Sequence, residues 1–168
     1  MKVDKIAIYA GSFDPFTKGH QNVIDRGLRV FDKIIVALAH NVSKKTIFSF
    51  DDRIEIIKEI YKDRDNIVVD SFEGLLVDYS KKIGTSVLLR GMRSVSDFEY
   101  ELQMALANKT LYSEIETIFI VTDSKYSHIS SSLIREIVSL GGSVKKMVPG
   151  VVERRLKEKQ NQKKDNIK

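Results

Sequence analysis

The amino-acid sequence predicts an α/β fold, a single doubly wound five-stranded parallel sheet with helices on both faces. Five short apolar, β-branched runs recur along the chain, and a helical pattern follows each of them. With 168 residues and 42% hydrophobic content, the chain can build one compact core. Strict alternation of strand and helix favours parallel strands joined by right-handed crossovers.

The predicted elements follow one another in a simple order. Strands are expected at residues 6–10, 34–39, 67–69, 87–89 and 118–121. Helices are expected to begin near 18–20 and then to span 49–61, 75–83, 95–111 and 132–140, with a last helix after Pro149-Gly150. In such sheets ligands bind beyond the carboxyl ends of the strands, so residues that follow strands are the first candidates for a site.

The formal net charge of +5 belongs to the end of the chain rather than to its body. Residues 154–168 carry seven lysines and arginines against two acids, which accounts for the whole excess. A polar basic terminus is most often a solvated end, so we divide the chain into a domain at 1–156 and a basic, flexible tail at 157–168. The charge is therefore weak evidence for nucleic acid, and no nucleic-acid partner is expected.

Cysteine content and hydropathy exclude further classes of protein. The chain has no cysteine, so it can form neither disulfides nor a thiolate metal site. Its three histidines show no spacing typical of metal ligands, and no metal-ligating residues are predicted. No apolar run has the length of a membrane span and no signal peptide is recognisable, so we expect a cytoplasmic protein without a membrane partner.

The most informative stretch is residues 11–20, here called the phosphate loop, a glycine-containing turn between the first strand and the first helix. The N-terminus of a helix presents unpaired backbone N–H groups and the positive end of its dipole, which together favour an anion. His20 is expected to project toward that anion as a hydrogen-bond donor. The stretch therefore predicts a phosphate site.

The phosphate loop resembles the first signature of the nucleotidylyltransferase superfamily, Gly-x-Phe-x-Pro-x-(His/Thr)-x-Gly-His, and so implies a Rossmann-like fold. Thr17 stands where nicotinate-mononucleotide adenylyltransferases and cytidylyltransferases usually have histidine. With Ser-Phe-Asp-Pro before it, the motif is similar to that of phosphopantetheine adenylyltransferases, which act in coenzyme A synthesis. The other two families remain the near alternatives.

Two arginines come at the end of the fourth predicted strand, in residues 90–93, Arg-Gly-Met-Arg. Guanidinium groups bind phosphate bidentately. Pairing with Asp97, Glu99 or Glu101 on the next helix is the alternative, but the position at a strand's carboxyl end favours phosphate. The tract also resembles the Arg-Gly-x-Arg…Asp-Phe-Glu-Tyr-Glu segment of phosphopantetheine adenylyltransferases.

Residues 129–135, Ile-Ser-Ser-Ser-Leu-Ile-Arg, combine three serine hydroxyls with a second helix start. Hydroxyl and backbone N–H donors together can bind phosphate oxygens, although serines at helix starts are commonly plain caps. The run resembles the Ile-Ser-Ser-(Ser/Thr)-x-(Ile/Val)-(Arg/Lys) signature of the same superfamily, which closes on the nucleotide triphosphate. Two signatures in this order are much harder to obtain by chance than either alone.

The resemblance covers the chain to about residue 156 and implies an activity. It implies transfer of the adenylyl group of ATP to 4′-phosphopantetheine, giving 3′-dephospho-coenzyme A and pyrophosphate, by in-line attack without a covalent enzyme intermediate. It also implies Mg²⁺ bound mainly through the ATP phosphates, and assembly into a homohexamer.

The resemblance further assigns residues to these tasks. Catalysis falls to His20, Lys44 and Arg93. Acceptor binding falls to Ser12, Lys44, Leu76 and Arg90. ATP binding falls to Ser12, Phe13, His20, Gly91, Met92, Arg93, Glu101, Tyr126, Ser127, His128, Ile129, Ser130, Ser131 and Ser132.

A different class of function is a non-catalytic nucleotide- or RNA-binding module that uses the basic tail. It predicts binding that weakens steeply with salt and disappears on truncation after Leu156. In a purely structural alternative, the motifs serve only as turns and helix caps.

Overall fold

The computed structural model describes residues 4–40 and 46–165 of the chain. Its centre is a five-stranded sheet in which every neighbouring pair is parallel, in the order β3-β2-β1-β4-β5. The strands are β1 at Ile6–Gly11, β2 at Lys33–Ala39, β3 at Ile67–Phe72, β4 at Val87–Met92 and β5 at Glu116–Val121. The predicted doubly wound α/β fold is confirmed.

Helices cover both faces of this sheet. They are α1 at Lys18–Gly27, α2 at Phe50–Ile60, α3 at Leu76–Ile83, α4 at Val95–Leu111, α5 at Ser131–Ser139 and α6 at Gly150–Asp165. One core joins the sheet to α1, α2, α5 and α6 and includes Ile24, Ile57 and Ile134. A second core, with Val77 and Leu88, joins the sheet to α3 on the opposite face.

Two strands, β3 and β4, extend three residues further toward their carboxyl ends than predicted. Asp70 lies within β3 and Arg90 within β4, because the backbone ladders to β2 and β5 continue past the apolar runs. Arg90 pairs with Phe119 of β5, and Gly91 pairs with the next residue. The arginine motif, which we expected to follow the fourth strand, therefore begins inside β4, and only Arg93 comes after it.

The order of strands places a crevice at the carboxyl ends of the two central strands, β1 and β4. From β1 the chain continues to β2 and β3 on one side, and it then crosses over to β4 and β5 on the other. At such a reversal the segments that follow the two central strands diverge and leave room for a ligand. The phosphate loop begins at the end of β1, so the fold places it beside this crevice.

Residues 150–165 form one helix across the predicted boundary between domain and tail. Helix α6 runs from Gly150 to Asp165, so residues 157–165 continue it. Lys159 donates to the carbonyl of Ile47 at 3.1 Å, and Gln160 donates to that of Val138 at 3.2 Å. The boundary thus falls inside an element that contacts the body, while the flexibility of the tail stays a prediction. Within 4–40 and 46–165, no helix has the length and apolar character that crossing a membrane requires.

Candidate active site

A cavity of about 310 Å³ opens at the carboxyl ends of β1 and β4, between the phosphate loop and the start of α5. The sequence-predicted residues that line it are Ser12, Phe13, His20, Arg90, Gly91, Arg93, Glu101, Ile129, Ser130, Ser131 and Ser132. Thr17, Asp97 and Thr122 also line it, although the sequence analysis did not assign them to substrate binding. Residues from three distant parts of the chain therefore meet where the fold predicts a ligand.

Leu76, assigned to the acceptor, lies in a second cavity. That cavity is about 90 Å³ in volume and shares Arg90 and Glu101 with the first. The two cavities are thus neighbours that share the Arg90–Glu101 pair. Lys44, assigned to catalysis and to the acceptor, lies outside the described residues.

Four residues assigned to ATP do not line the 310 Å³ cavity beside the phosphate loop. Met92 is the last residue of β4. Tyr126 ends a short 3₁₀ turn, which Ser127 closes by donating its hydroxyl to the carbonyl of Ser124 at 2.8 Å. His128 lines a third cavity together with lysines 125, 145 and 146. The contacts predicted for these four residues stay predictions.

His20 is oriented by the cap of its own helix. The hydroxyl of Thr17 accepts the backbone N–H of His20 at 3.3 Å, and the backbone N–H of Thr17 donates to Nδ1 of His20 at 3.0 Å. This is a capping box in which histidine takes the place usual for glutamate or glutamine. Because Nδ1 accepts a hydrogen bond from the backbone, the ring proton of neutral His20 is on Nε2.

The surroundings of His20 keep its ring uncharged. Burial, together with the positive charges of Arg93 and Arg90, lowers the pKa of His20 to about 3. The rings of Phe13 and Phe16 lie 5.1 and 5.4 Å from the imidazole, centroid to centroid. At neutral pH His20 is therefore a neutral donor, and not a cation, in the ligand-free protein.

Both arginines pair with carboxylates of α4, which is the alternative that the sequence analysis disfavoured. Arg90 donates through Nε and Nη2 to the two oxygens of Glu101, each at 2.6 Å, and through Nη1 to the carbonyl of Ala10 at 2.6 Å. Arg93 donates through Nε and Nη2 to Asp97 at 2.9 and 3.1 Å. The carboxylate pairing is therefore present, and because both paired arginines also line the cavity, their binding of phosphate stays a prediction.

Glu101 stabilises the charged form of Arg90. Burial alone would lower the pKa of Arg90, but the hydrogen bonds and charge of Glu101 raise it above its ordinary value. Arg93 has a further partner across the cavity, since its Nη1 donates to the carbonyl of Ile129 at 2.9 Å. Each guanidinium is thus held in a fixed direction at the edge of the cavity.

The serine run begins α5 and also ties that helix to the phosphate loop. Ser130 is the N-cap, and its hydroxyl accepts the N–H of Leu133 at 3.0 Å. The hydroxyl of Ser131 donates to the carbonyl of Pro15 at 2.9 Å. The helix N-terminus therefore faces a cavity that Ser12 and His20 border from the other side, an arrangement suited to a chain of phosphates.

The site offers donors for anions and few ligands for a metal. Its carboxylates Asp97 and Glu101 are both engaged by arginines. In the part of the chain that the structure describes, no group of three or more histidine, aspartate or glutamate side chains could hold a metal ion.

Comparisons with known proteins agree with this geometry. The cytidylyltransferase-like family matches residues 8–137. Phosphopantetheine adenylyltransferase from Caldanaerobacter subterraneus subsp. tengcongensis is 52% identical over 155 residues, which cover 92% of this chain and 97% of the relative. The enzymes of that name from Dictyoglomus thermophilum and Geotalea daltonii are each 50% identical, over 91% and 94% of this chain and 93% and 98% of theirs.

A solved structure supports the fold independently of close sequence similarity. A crystal structure assigned as a nicotinate-nucleotide adenylyltransferase from Vibrio parahaemolyticus superposes with a TM-score of 0.68 at 19% identity, covering 94% of each chain. At that identity the likeness concerns the fold alone. Because half of all aligned residues are identical to those of curated relatives over nearly their whole length, the chain belongs to the phosphopantetheine adenylyltransferase family.

Proposed function

We propose that the cavity between the phosphate loop and α5 is where the adenylyl group of ATP is transferred to 4′-phosphopantetheine, giving 3′-dephospho-coenzyme A and pyrophosphate. The protein is accordingly a nucleotidyltransferase of coenzyme A biosynthesis. The observation that carries the mechanism is the fixed ring of His20, whose Nδ1 is held by the backbone of Thr17 while the ring lines the cavity. A neutral donor at this place suits a reaction in which charge develops on phosphate oxygens.

The reaction requires positioning more than acid–base chemistry. An oxygen of the 4′-phosphate forms a bond to the α-phosphorus of ATP, and the bond from that phosphorus to the β-bridging oxygen breaks, releasing pyrophosphate. The attacking phosphate is already ionised near neutral pH, so the protein has no proton to remove. His20 donates Nε2–H to a non-bridging oxygen of the α-phosphate, and the N-terminus of α5 with Ser130–Ser132 holds the β- and γ-phosphates.

The paired arginines can bind phosphate without leaving their carboxylates. A guanidinium carries five N–H donors, and the hydrogen bonds described above engage three of them in Arg90 and three in Arg93. The remaining donors are available to the substrates. We assign Arg93 to the leaving phosphates and Arg90, which borders both cavities, to the acceptor phosphate.

The second cavity suits the rest of the acceptor. Leu76, Met104 and Leu88 give it an apolar lining, and Asn108 adds a polar group. A pantetheine chain alternates methylene groups with amides, so its chemistry matches this lining. The acceptor would thus place its phosphate near Arg90 and Ser12 and its chain along α4, while the role assigned to Lys44 stays a prediction from sequence.

We further propose that Mg²⁺ enters as part of the ATP substrate, bound by the phosphates. Assembly into a homohexamer and a cytoplasmic location also remain proposals. The first has support in α4, which has no buried residue in the single chain although Phe98, Leu102 and Leu106 are apolar. A second copy of the chain is the occupant that we assign to this face.

The test is an acceptor screen. Pyrophosphate release from ATP and Mg²⁺ is measured with 4′-phosphopantetheine, nicotinate mononucleotide or glycerol 3-phosphate, and the product is identified by mass. We expect release with phosphopantetheine only, together with the mass of dephospho-coenzyme A. Release with another acceptor instead would overturn the assignment of phosphopantetheine as the substrate, but not the assignment of the cavity as a phosphate site.

The role of His20 is tested with the variant His20→Ala in the same assay. Removal of one donor to a developing charge typically costs about 10²- to 10³-fold in rate, so this variant should lose most of its turnover while remaining folded. Unchanged turnover in His20→Ala would contradict the mechanism. Absence of release with every acceptor, combined with salt-sensitive polyanion binding by the tail, would favour the non-catalytic alternative.

A further inference from the structure

Asp14 is a buried carboxylate in the phosphate loop to which the proposed chemistry gives no role. Its side chain is 3% exposed. Oδ2 accepts the backbone N–H of Ile47 at 2.8 Å, and Oδ1 accepts that of Phe48 at 3.0 Å. A buried charge is costly unless hydrogen bonds compensate it, and here each oxygen has its own backbone donor. Asp14 therefore fixes the segment that leads into α2.

The same residue is bound to the start of α5. Arg135 donates through Nη1 to the main-chain carbonyl of Asp14 at 2.6 Å, and this nitrogen lies 3.8 Å from Oδ2. Arg135 also donates through Nη2 to the hydroxyl of Ser132 at 3.1 Å. Because Ser131 donates to the next carbonyl, that of Pro15, the serines of the cavity are anchored to two consecutive carbonyls of the phosphate loop.

Helix α2 adds a third connection at the opposite end of the turn. Arg53 is buried, and its Nη1 donates to the carbonyl of Ser12 at 2.7 Å while its Nε donates to that of Ser49 at 3.2 Å. The phosphate loop is thus attached to α2 through the carbonyl of Ser12 and the carboxylate of Asp14. Of these groups, only Asp14 contacts both the α2 side and the α5 side.

We propose that Asp14 is a positioning residue that locks the starts of α2 and α5 onto the phosphate loop. The inference rests on the proposed function, since what Asp14 positions is the set of phosphate donors formed by Ser12, His20 and Ser130–Ser132. These donors come from two segments more than 100 residues apart in sequence, and they must act on one triphosphate. A misplacement of about 1 Å at reacting groups can cost about 10²-fold in rate.

Asp14→Asn tests this role, because it keeps the volume of the side chain but turns one acceptor oxygen into an NH₂ group that faces a backbone N–H. We expect kcat to fall about 10- to 100-fold. The Kd of ATP, measured by calorimetry without acceptor, should change less than about threefold, because its donors remain present. Hydrogen–deuterium exchange of the peptide covering residues 46–50 should become faster.

A second variant and a control keep the test decisive if Asp14→Asn folds poorly. Arg135→Gln removes the bond to the Asp14 carbonyl and should show the same loss of kcat with little change in Kd. Ser80→Ala is the control. Ser80 is fully buried and donates to the carbonyl of Thr85 just before the amino-terminal end of β4, whereas the cavity lies at the carboxyl end of that strand. It should lower stability but keep kcat within about twofold.

Two outcomes would overturn the proposal. One is a kcat for folded Asp14→Asn no lower than that of Ser80→Ala, and the other is a parallel loss of ATP affinity and kcat. Failure of the wild-type protein to form dephospho-coenzyme A would instead overturn the proposed function. The exchange rate of residues 46–50 would still decide whether Asp14 anchors them.

Discussion

At His20 the two ring nitrogens have separate tasks. Nδ1 accepts the backbone N–H of Thr17, so the ring cannot rotate without losing a hydrogen bond. Nε2 therefore keeps both its proton and its direction. Burial with Arg90 and Arg93 nearby prevents a second proton from binding, which leaves a donor whose charge does not change across neutral pH.

The lowered pKa of His20 predicts how stability depends on pH. The pKa is about 3 in the folded protein and about 6.5 in an unfolded chain, so the unfolded state takes up the proton first as pH falls. The contribution of neutral His20 is complete above about pH 6.5 and is lost as pH falls toward 3, by up to about 1.4 kcal/mol per pH unit. Urea unfolding between pH 8 and pH 5 measures this.

Comparison with His20→Ala shows how much of the pH dependence of the free energy of unfolding is due to His20. The other two histidines are common to both proteins, so the free energy of unfolding should fall less with acid in the variant than in the wild type. Equal slopes would mean that His20 titrates normally in the folded protein, and its role as a permanently neutral donor would then be wrong.

At the scale of elements, the cap of α1 connects helix stability to catalysis. Thr17→Ala removes the hydroxyl that caps α1 and lies 3.2 Å from Nδ1 of His20. We expect a loss of about 1 kcal/mol in the free energy of unfolding. We also expect about a tenfold loss of kcat, because the imidazole is held less firmly.

Ser49→Ala is the matched variant for this prediction. Ser49 forms the same capping box with Asp52 at the start of α2, and it is exposed. The cost in stability should be similar, about 1 kcal/mol, while kcat stays within about twofold. Equal kcat in the two variants would show that the cap of α1 has no catalytic consequence.

The order of elements and the position of the phosphate loop could be predicted because both are encoded locally. Apolar periodicity marks the strands and helices, and Thr17 with His20 lies within one helical turn of sequence. The polar ends of β3 and β4 could not be predicted, since Asp70 and Arg90 continue their strands only because a neighbouring strand pairs with them. The hydrogen bond from the Ile47 N–H to Asp14 is likewise non-local, so no local sequence pattern predicts it.

For the whole molecule, the proposed assembly would act through α4. On one side it supplies Asp97 and Glu101 to the arginines and Met104 to the second cavity. On the other side Phe98, Leu102 and Leu106 are spaced by four residues and form an exposed apolar stripe. Because no residue of α4 is buried in the single chain, a partner on this stripe would also hold the acceptor site in place.

Leu106→Glu tests this connection between assembly and binding. The side chain is 60% exposed in the single chain. A charge there should therefore lower the stability of the fold little, but it should weaken an apolar contact between copies strongly. We expect the mass measured by light scattering to fall and the KM for 4′-phosphopantetheine to rise more than the KM for ATP. Val30→Glu, at 57% exposure far from α4 in sequence, should change neither value. A wild-type protein that is already monomeric would refute the hexamer, whereas dissociation with an unchanged KM would mean that α4 holds the acceptor site without a partner.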